Sequence, residues 1–223
     1  DLRDPAQVVA LADEVAAAGP LDILINNAAQ TVRRSPGSYS GLVEGENAPI
    51  TGRAAEVPMV TMGRTSELHP AALMGGESAL IGHDEAEREA DHIAALALQA
   101  GSSSLERMAA GTAIDAGGLL PDVVDHNSWV ATVEQVEPME MLEVQLCNSV
   151  APFILVSRLR PALAASGARR KYVVNVSAME GQFSRRYKGA GHPHTNMAKA
   201  GLNMLTRTSA EEMFTDDRIL MTA

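Results

Sequence analysis

Three short apolar runs, at residues 21–25, 172–176 and 219–221, are set apart by long stretches of helical periodicity. Runs this short and apolar suit strands buried in a parallel sheet. Strands alternating with helices predict a layered α/β fold joined by right-handed crossovers. The helical signals are specific. Asp4 is a good N-cap and Pro5 fits the first helical position. A stripe of Val8, Val9, Leu11, Ala12 and Val15 then runs to about Ala18, and Gly19-Pro20 ends it. Residues 139–163 are strongly apolar, with Pro152 placed to kink or divide them. Residues 197–214 repeat Ala198, Leu202, Leu205 and Ala210 at helical spacing.

One connection breaks the rhythm. From Asn27 to Asn148 is 121 positions, where a strand-to-helix link in a compact sheet takes a handful. Residues 31–125 are rich in Gly, Pro, Ser and Glu and read as an inserted lobe, with a helix over 84–99 and a second near 105–110. Both ends of the chain read as cut: the first residues look like the exit of a strand, and residues 218–223 like a strand that stops with the chain. The expectation is a fragment of a longer domain.

Charge and composition narrow the function classes. The chain of 223 residues carries 18 basic and 28 acidic side chains, a net charge of −10, which argues against a nucleic-acid surface. No apolar run approaches the roughly 20 residues that span a bilayer. Cys147 is the single cysteine, so neither an internal disulfide nor a cysteine-based zinc site can form, and the cytoplasm is the default compartment. Glu89 and His92, with Glu85 one turn earlier, have di-metal spacing, but no second such pair exists. They read as a solvated acidic face, and no metal is expected. Met59, Met62, Met74 and Met108 read as gap fillers.

The run Asp22-Ile23-Leu24-Ile25-Asn26-Asn27-Ala28-Ala29 carries two Asn and small residues to the carboxyl edge of the sheet, where ligands bind in open α/β folds. It resembles the Asn-Asn-Ala-Gly strand end of the short-chain dehydrogenase/reductase family, with Ala29 where the family usually has Gly. Three further segments follow in that family's order. Residues 148–153, from Asn148 to Phe153, resemble its helix-bending active-site Asn. Val173-Val174-Asn175-Val176-Ser177 resembles the strand bearing its catalytic Ser. Thr195-Asn196-Met197-Ala198-Lys199 resembles its Tyr-x-x-x-Lys helix. The resemblance implies a partial Rossmann-like, doubly wound parallel sheet formed by residues 1–30 and 126–223, with 31–125 inserted.

Carried over residue by residue, the resemblance implies catalytic roles for Asn148, Lys199, Thr195 and Ser177, and cofactor contacts for Asp1, Asn27, Ala28, Ala29 and Lys199. Two positions depart. Thr195 stands where the family has Tyr, and an aliphatic hydroxyl is a far weaker acid than a phenol of pKa ~10. Its bland role would be a helix N-cap. Ser177 is either the strand residue before the family's Ser, pointing to the opposite side by period-two alternation, or returns to the site by a one-residue shift. Tyr187, His192, His194 and Glu180 lie near enough in sequence to serve as substitute acids.

No Gly-x-Gly-x-x-Gly occurs, so the 223 residues alone are expected not to bind NAD(H) or NADP(H), although the full-length protein would take NAD or NADP. The implied activity is hydride transfer between that cofactor and a small-molecule carbonyl or alcohol substrate. The other reading is a non-catalytic nucleotide-binding or scaffold protein. No nucleic-acid or membrane partner is expected. The family oligomerises through helices like residues 148–163 and 197–214, which is compatible with a homo-oligomer.

Overall fold

The computed structural model describes residues 1–32, 42, 45, 47–60, 66, 68–70, 128–184 and 188–223. The helices expected over 84–99 and near 105–110, together with Glu85, Glu89, His92, Met62, Met74, Met108 and Tyr187, lie outside the described residues. The chain forms two compact units, one of Asp1–Val32, Met62–Gly76 and Ser128–Ala223, the other of Arg33–Thr61 and Glu77–Asn127. In the second, Gly52–Glu56 forms a 3-10 turn without buried residues. Met59 is 71% exposed, so it fills no gap.

The first unit contains the α/β sheet. Helix α1 spans Pro5–Ala17. The buried Asp4 carboxylate accepts from the backbone N–H groups of Ala6 and Gln7, at 3.0 and 3.4 Å, satisfying donors that the first helical turn leaves free. It also accepts from the N–H and hydroxyl of Ser66, each at 2.6 Å. Ser66, which falls within the stretch read as an insertion, is thus tied to the start of α1. Strand β1 is Ile23–Asn26. Helix α2, Pro138–Gln145, passes through a π-turn, Leu146–Val150, into α3, Ala151–Ala164. Strand β2 is Lys171–Asn175, a 3-10 turn occupies Met179–Gly181, helix α4 is Pro193–Asp217 and β3 is Ile219–Thr222.

The sheet is parallel, in the order β1-β2-β3. Leu24 pairs with Val173, and Val173 with Met221. Those three residues face the helices. Val8 and Ala12 of α1 pack with Leu155 and Leu159 of α3 under Leu24, and Val156, Leu163 and Met213 pack with Val173, Ile219 and Met221. Each crossover steps the same way across the sheet, and right-handed steps in one direction place their helices on one face. On the other face, Ile23 and Ile25 are 52% and 60% exposed. The strands expected to be buried in a parallel sheet are therefore covered on one face at β1.

The α2–α3 run has 27 residues, its most apolar 18-residue window has mean hydropathy 1.3, and it is long and apolar enough to cross a membrane by length and composition. This differs from the sequence expectation, which looked for uninterrupted apolar residues. Half of its most apolar window is buried inside the protein, as in a helix that carries a core.

Candidate active site

The break in the α2–α3 run precedes Pro152. Proline has no N–H for the carbonyl four residues back and its ring crowds that carbonyl, which here belongs to Asn148. The helix widens into a π-turn, a distortion common at functional positions. Asn148 sits inside that turn, 1% exposed. Its side chain clamps the backbone after β1: the N–H of Gln30 donates to Asn148 Oδ1, and Asn148 Nδ2 donates to the carbonyl of Gln30, both at 2.7 Å. Gln30 Nε2 also donates to Glu143 Oε2 at 2.9 Å. Glu143 Oε1 receives Arg3 Nη1 at 3.2 Å, and Arg3 Nη2 donates to Asp1 Oδ2 at 2.7 Å.

The strand ends are tied together below this clamp. Asn26 Nδ2 donates to Asn175 Oδ1 at 2.8 Å, and Asn175 Nδ2 donates to Thr206 Oγ1 at 2.9 Å. Of the two Asn residues ending β1, the first is structural: Asn26 is buried, whereas Asn27, Ala28 and Ala29 are exposed at the sheet's carboxyl edge. A groove of about 310 Å³ runs from Leu2 and Leu11 past Leu24 to Asn27 and Ala28.

Lys199 reaches the same edge from α4. It is 8% exposed, and its ammonium donates to the carbonyl of Val176 at 2.8 Å. Burial holds its pKa below the usual lysine value, with Cys147 acting in the opposite direction. The Cys147 thiol is pushed up by burial, while the Gln30 N–H, Arg3 and Lys199 pull it down. Lys199 therefore lies near the π-turn that contains Cys147 and Asn148. Ser177 follows the end of β2, so strand alternation no longer sets its direction; its Oγ lies 3.5 Å from the carbonyl of Lys199. Gly181 permits this packing. A Cβ there would lie 2.6 Å from the Lys199 carbonyl carbon.

Thr195 differs from the sequence expectation. The N-cap of α4 is His192, in a left-handed conformation, so Thr195 is not the cap and lies in the first turn. It is 5% exposed and its hydroxyl has no hydrogen-bond partner. His194, 3% exposed, leaves both ring nitrogens without a hydrogen bond, and Nε2 lies 3.9 Å from Glu140 Oε1. The His194 carbonyl accepts from Gln145 Nε2 at 2.8 Å. His192 stacks on Trp129 with ring centroids 4.1 Å apart. Lys188 bonds the backbone carbonyl of Glu180.

Asp1, expected as a cofactor contact, has its carboxylate engaged by Arg3 Nε and Nη2. Sequence reasoning missed Arg3, Gln30 and Glu143. The available signal was a carboxylate, Glu143, within an apolar helical stretch, where a charge needs a partner. Among the described residues no group of three or more His, Cys, Asp or Glu could hold a metal ion.

The described residues define an α/β protein with a parallel sheet and a polar cluster at its carboxyl edge. No protein-family model matches the chain. Ninety residues are 34% identical to an uncharacterized protein of Acanthamoeba polyphaga mimivirus, covering 40% of this chain and 19% of that protein. The chain is also similar to a short-chain dehydrogenase from Streptomyces avermitilis (15% identity, TM-score 0.48, 99% of this chain and 43% of that one). A metagenomic short-chain oxidoreductase in complex with NADP gives 16% identity and a TM-score of 0.49, covering 100% of this chain and 54% of that one. A Brucella ovis oxidoreductase with a partially ordered NAD gives 17% and 0.47, covering 98% and 56%. The chain spans about a fifth of the curated relative and about half of each solved chain.

Proposed function

We propose that the full-length protein is a short-chain dehydrogenase/reductase-like oxidoreductase that uses NAD or NADP on a small-molecule carbonyl or alcohol. The supporting observation is the arrangement at the carboxyl edge: Asn148 in a π-turn holds the backbone of Gln30, so that Asn27, Ala28 and Ala29 are presented to solvent while Lys199 sits at the end of β2. These residues fit a dinucleotide. Small side chains let a flat ring approach the backbone, and an ammonium can bind ribose hydroxyls once it leaves the Val176 carbonyl. The cofactor, when bound, supplies or accepts the hydride. On this reading Lys199 binds ribose, Asn148 fixes the loop, and Ser177 and Thr195 are the hydroxyls nearest the substrate oxygen. A cytoplasmic protein without nucleic-acid or membrane partners, assembling as a homo-oligomer, belongs to the same proposal.

The second reading, a non-catalytic nucleotide-binding or scaffold protein, draws on Thr195. Its hydroxyl is buried and unbonded, and the Lys199 ammonium is directed to Val176 instead. Calorimetric titration of the full-length protein with NAD(H) and NADP(H) tests the binding. Wild type should bind one of them, and Lys199→Ala should weaken it about tenfold, as loss of a charge-assisted bond requires. Thr195→Tyr should raise turnover on a ketone and alcohol panel by restoring a tunable acid. Binding retained with no turnover in either form would favour the scaffold, and no binding at all would end the oxidoreductase reading.

A further inference from the structure

We infer that Glu143 is a positioning residue for the loop after β1, an inference that rests on the dinucleotide reading for its function but on geometry for its existence. Glu143 is 3% exposed, so its carboxylate is stable there only with partners in place. Its two oxygens serve different segments. Oε2 accepts from the side chain of Gln30 at 2.9 Å, and Oε1 accepts from Arg3 at 3.2 Å.

Gln30 is thereby held by side chain and backbone at once. Asn148 takes its N–H and its carbonyl, and Glu143 takes its amide. Both holding residues lie on one continuous helical run, on either side of the point where the π-turn begins. The register of the π-turn and the position of the loop are therefore coupled: shifting the turn moves Asn148 relative to Glu143, and Gln30 cannot satisfy both. Arg3 extends the coupling toward Asp1, whose carboxylate it engages. Asn27, Ala28 and Ala29, the exposed residues between β1 and Gln30, are held by what Glu143 does at their far end.

The test uses the full-length protein and a polarity swap. Gln30→Glu sets two carboxylates against each other, and Glu143→Gln leaves two amides facing each other and Arg3 with only the Asp1 carboxylate. The double variant, Gln30→Glu with Glu143→Gln, restores one amide donor and one carboxylate acceptor. Two readouts are taken: affinity for NAD(H) and NADP(H), and amide hydrogen exchange of the 27–31 segment without dinucleotide. Gln30→Glu should weaken dinucleotide binding at least about tenfold and raise exchange in the segment, with the double variant recovering to within about threefold of wild type, the signature of pairwise coupling. A double variant no better than Gln30→Glu would overturn the inference, as would Glu143→Gln matching wild type in both readouts. If wild type binds neither dinucleotide, the oxidoreductase reading fails, and exchange alone decides Glu143: rescue upholds the coupling and absence of rescue overturns it.

Discussion

Around the π-turn, buried polar groups come in matched sets: Asn148 with the backbone of Gln30, Glu143 with Gln30 and Arg3, Asn26 with Asn175. At the start of α4, buried polar atoms have no hydrogen-bond partner, among them both nitrogens of His194, the hydroxyl of Thr195 and Oδ1 of Asn196. The two regions are built on adjoining helices and differ in how their burial is compensated. An unpaired buried donor or acceptor costs about 1–3 kcal/mol, whereas a paired one contributes about 1. The first region is therefore a source of rigidity. The second holds unspent hydrogen-bonding capacity, which in a folded protein calls for a cause such as strain or a chemical role.

The largest effect is expected from breaking the matched side. Asn148→Ala removes both bonds to Gln30 and strands its N–H and carbonyl. Partial exposure of Gln30 lets water recover some of the loss, so the cost should be about 2–3 kcal/mol by denaturant unfolding. A loss below about 0.5 kcal/mol would mean that the clamp carries no stability and the contrast between the regions is false.

The clamp also marks where the sequence stops being informative. The strands, α1 and its Asp4 cap were legible because local chemistry decides them: an apolar run, an N-cap side chain, a glycine at φ +123° after the helix. That Asn148 lies where a helix is distorted and Lys199 on a helix was legible from Pro152 and from helical spacing. What they bond to was not, because Asn148 and Gln30 are separated by 118 positions and no local pattern encodes that meeting. The one-sided burial of β1 was missed for a related reason, since an apolar run does not reveal how many of its faces are covered. Thr195 was read as a possible cap because Thr suits that role, but the helix begins two residues earlier, at Pro193.

Next in size is Gly181→Ala, which asks whether the two regions share one rigid frame. The added methyl would meet the carbonyl carbon of Lys199 at 2.6 Å and its oxygen at 2.8 Å. Both belong to helix backbone, which cannot rotate away as a side chain would. Separating the Met179–Gly181 turn from α4 should cost about 1–3 kcal/mol and disturb the Ser177–Lys199 approach. A variant with wild-type stability would show that α4 shifts freely against β2.

Thr195→Val should move stability in the opposite direction. It replaces an unbonded buried hydroxyl with a methyl of similar shape, so the protein should gain up to about 1 kcal/mol. This is the sharpest probe of the comparison because a matched hydroxyl predicts a loss. A melting temperature lowered by the substitution would show that the Thr195 hydroxyl is satisfied in solution.

The smallest expected effect concerns His194 and acid. Burial pushes its pKa below the ordinary 6.5, Glu140 opposes this and His192 adds to it. As pH falls, the unfolded chain takes up a proton at the ordinary value before the folded protein does, so acid favours unfolding. The stability that depends on neutral His194 is complete above about pH 6.5 and drains away as the pH drops from there through the lowered folded value. Melting curves of wild type and His194→Gln between about pH 7.5 and 5.5 isolate this contribution, since every other group is common to both proteins. Wild type should lose more stability across that interval than the variant. Equal losses would place the proton on another group, and a smaller loss in wild type would mean that Glu140 dominates and holds His194 charged, making the start of α4 a paired region like the first.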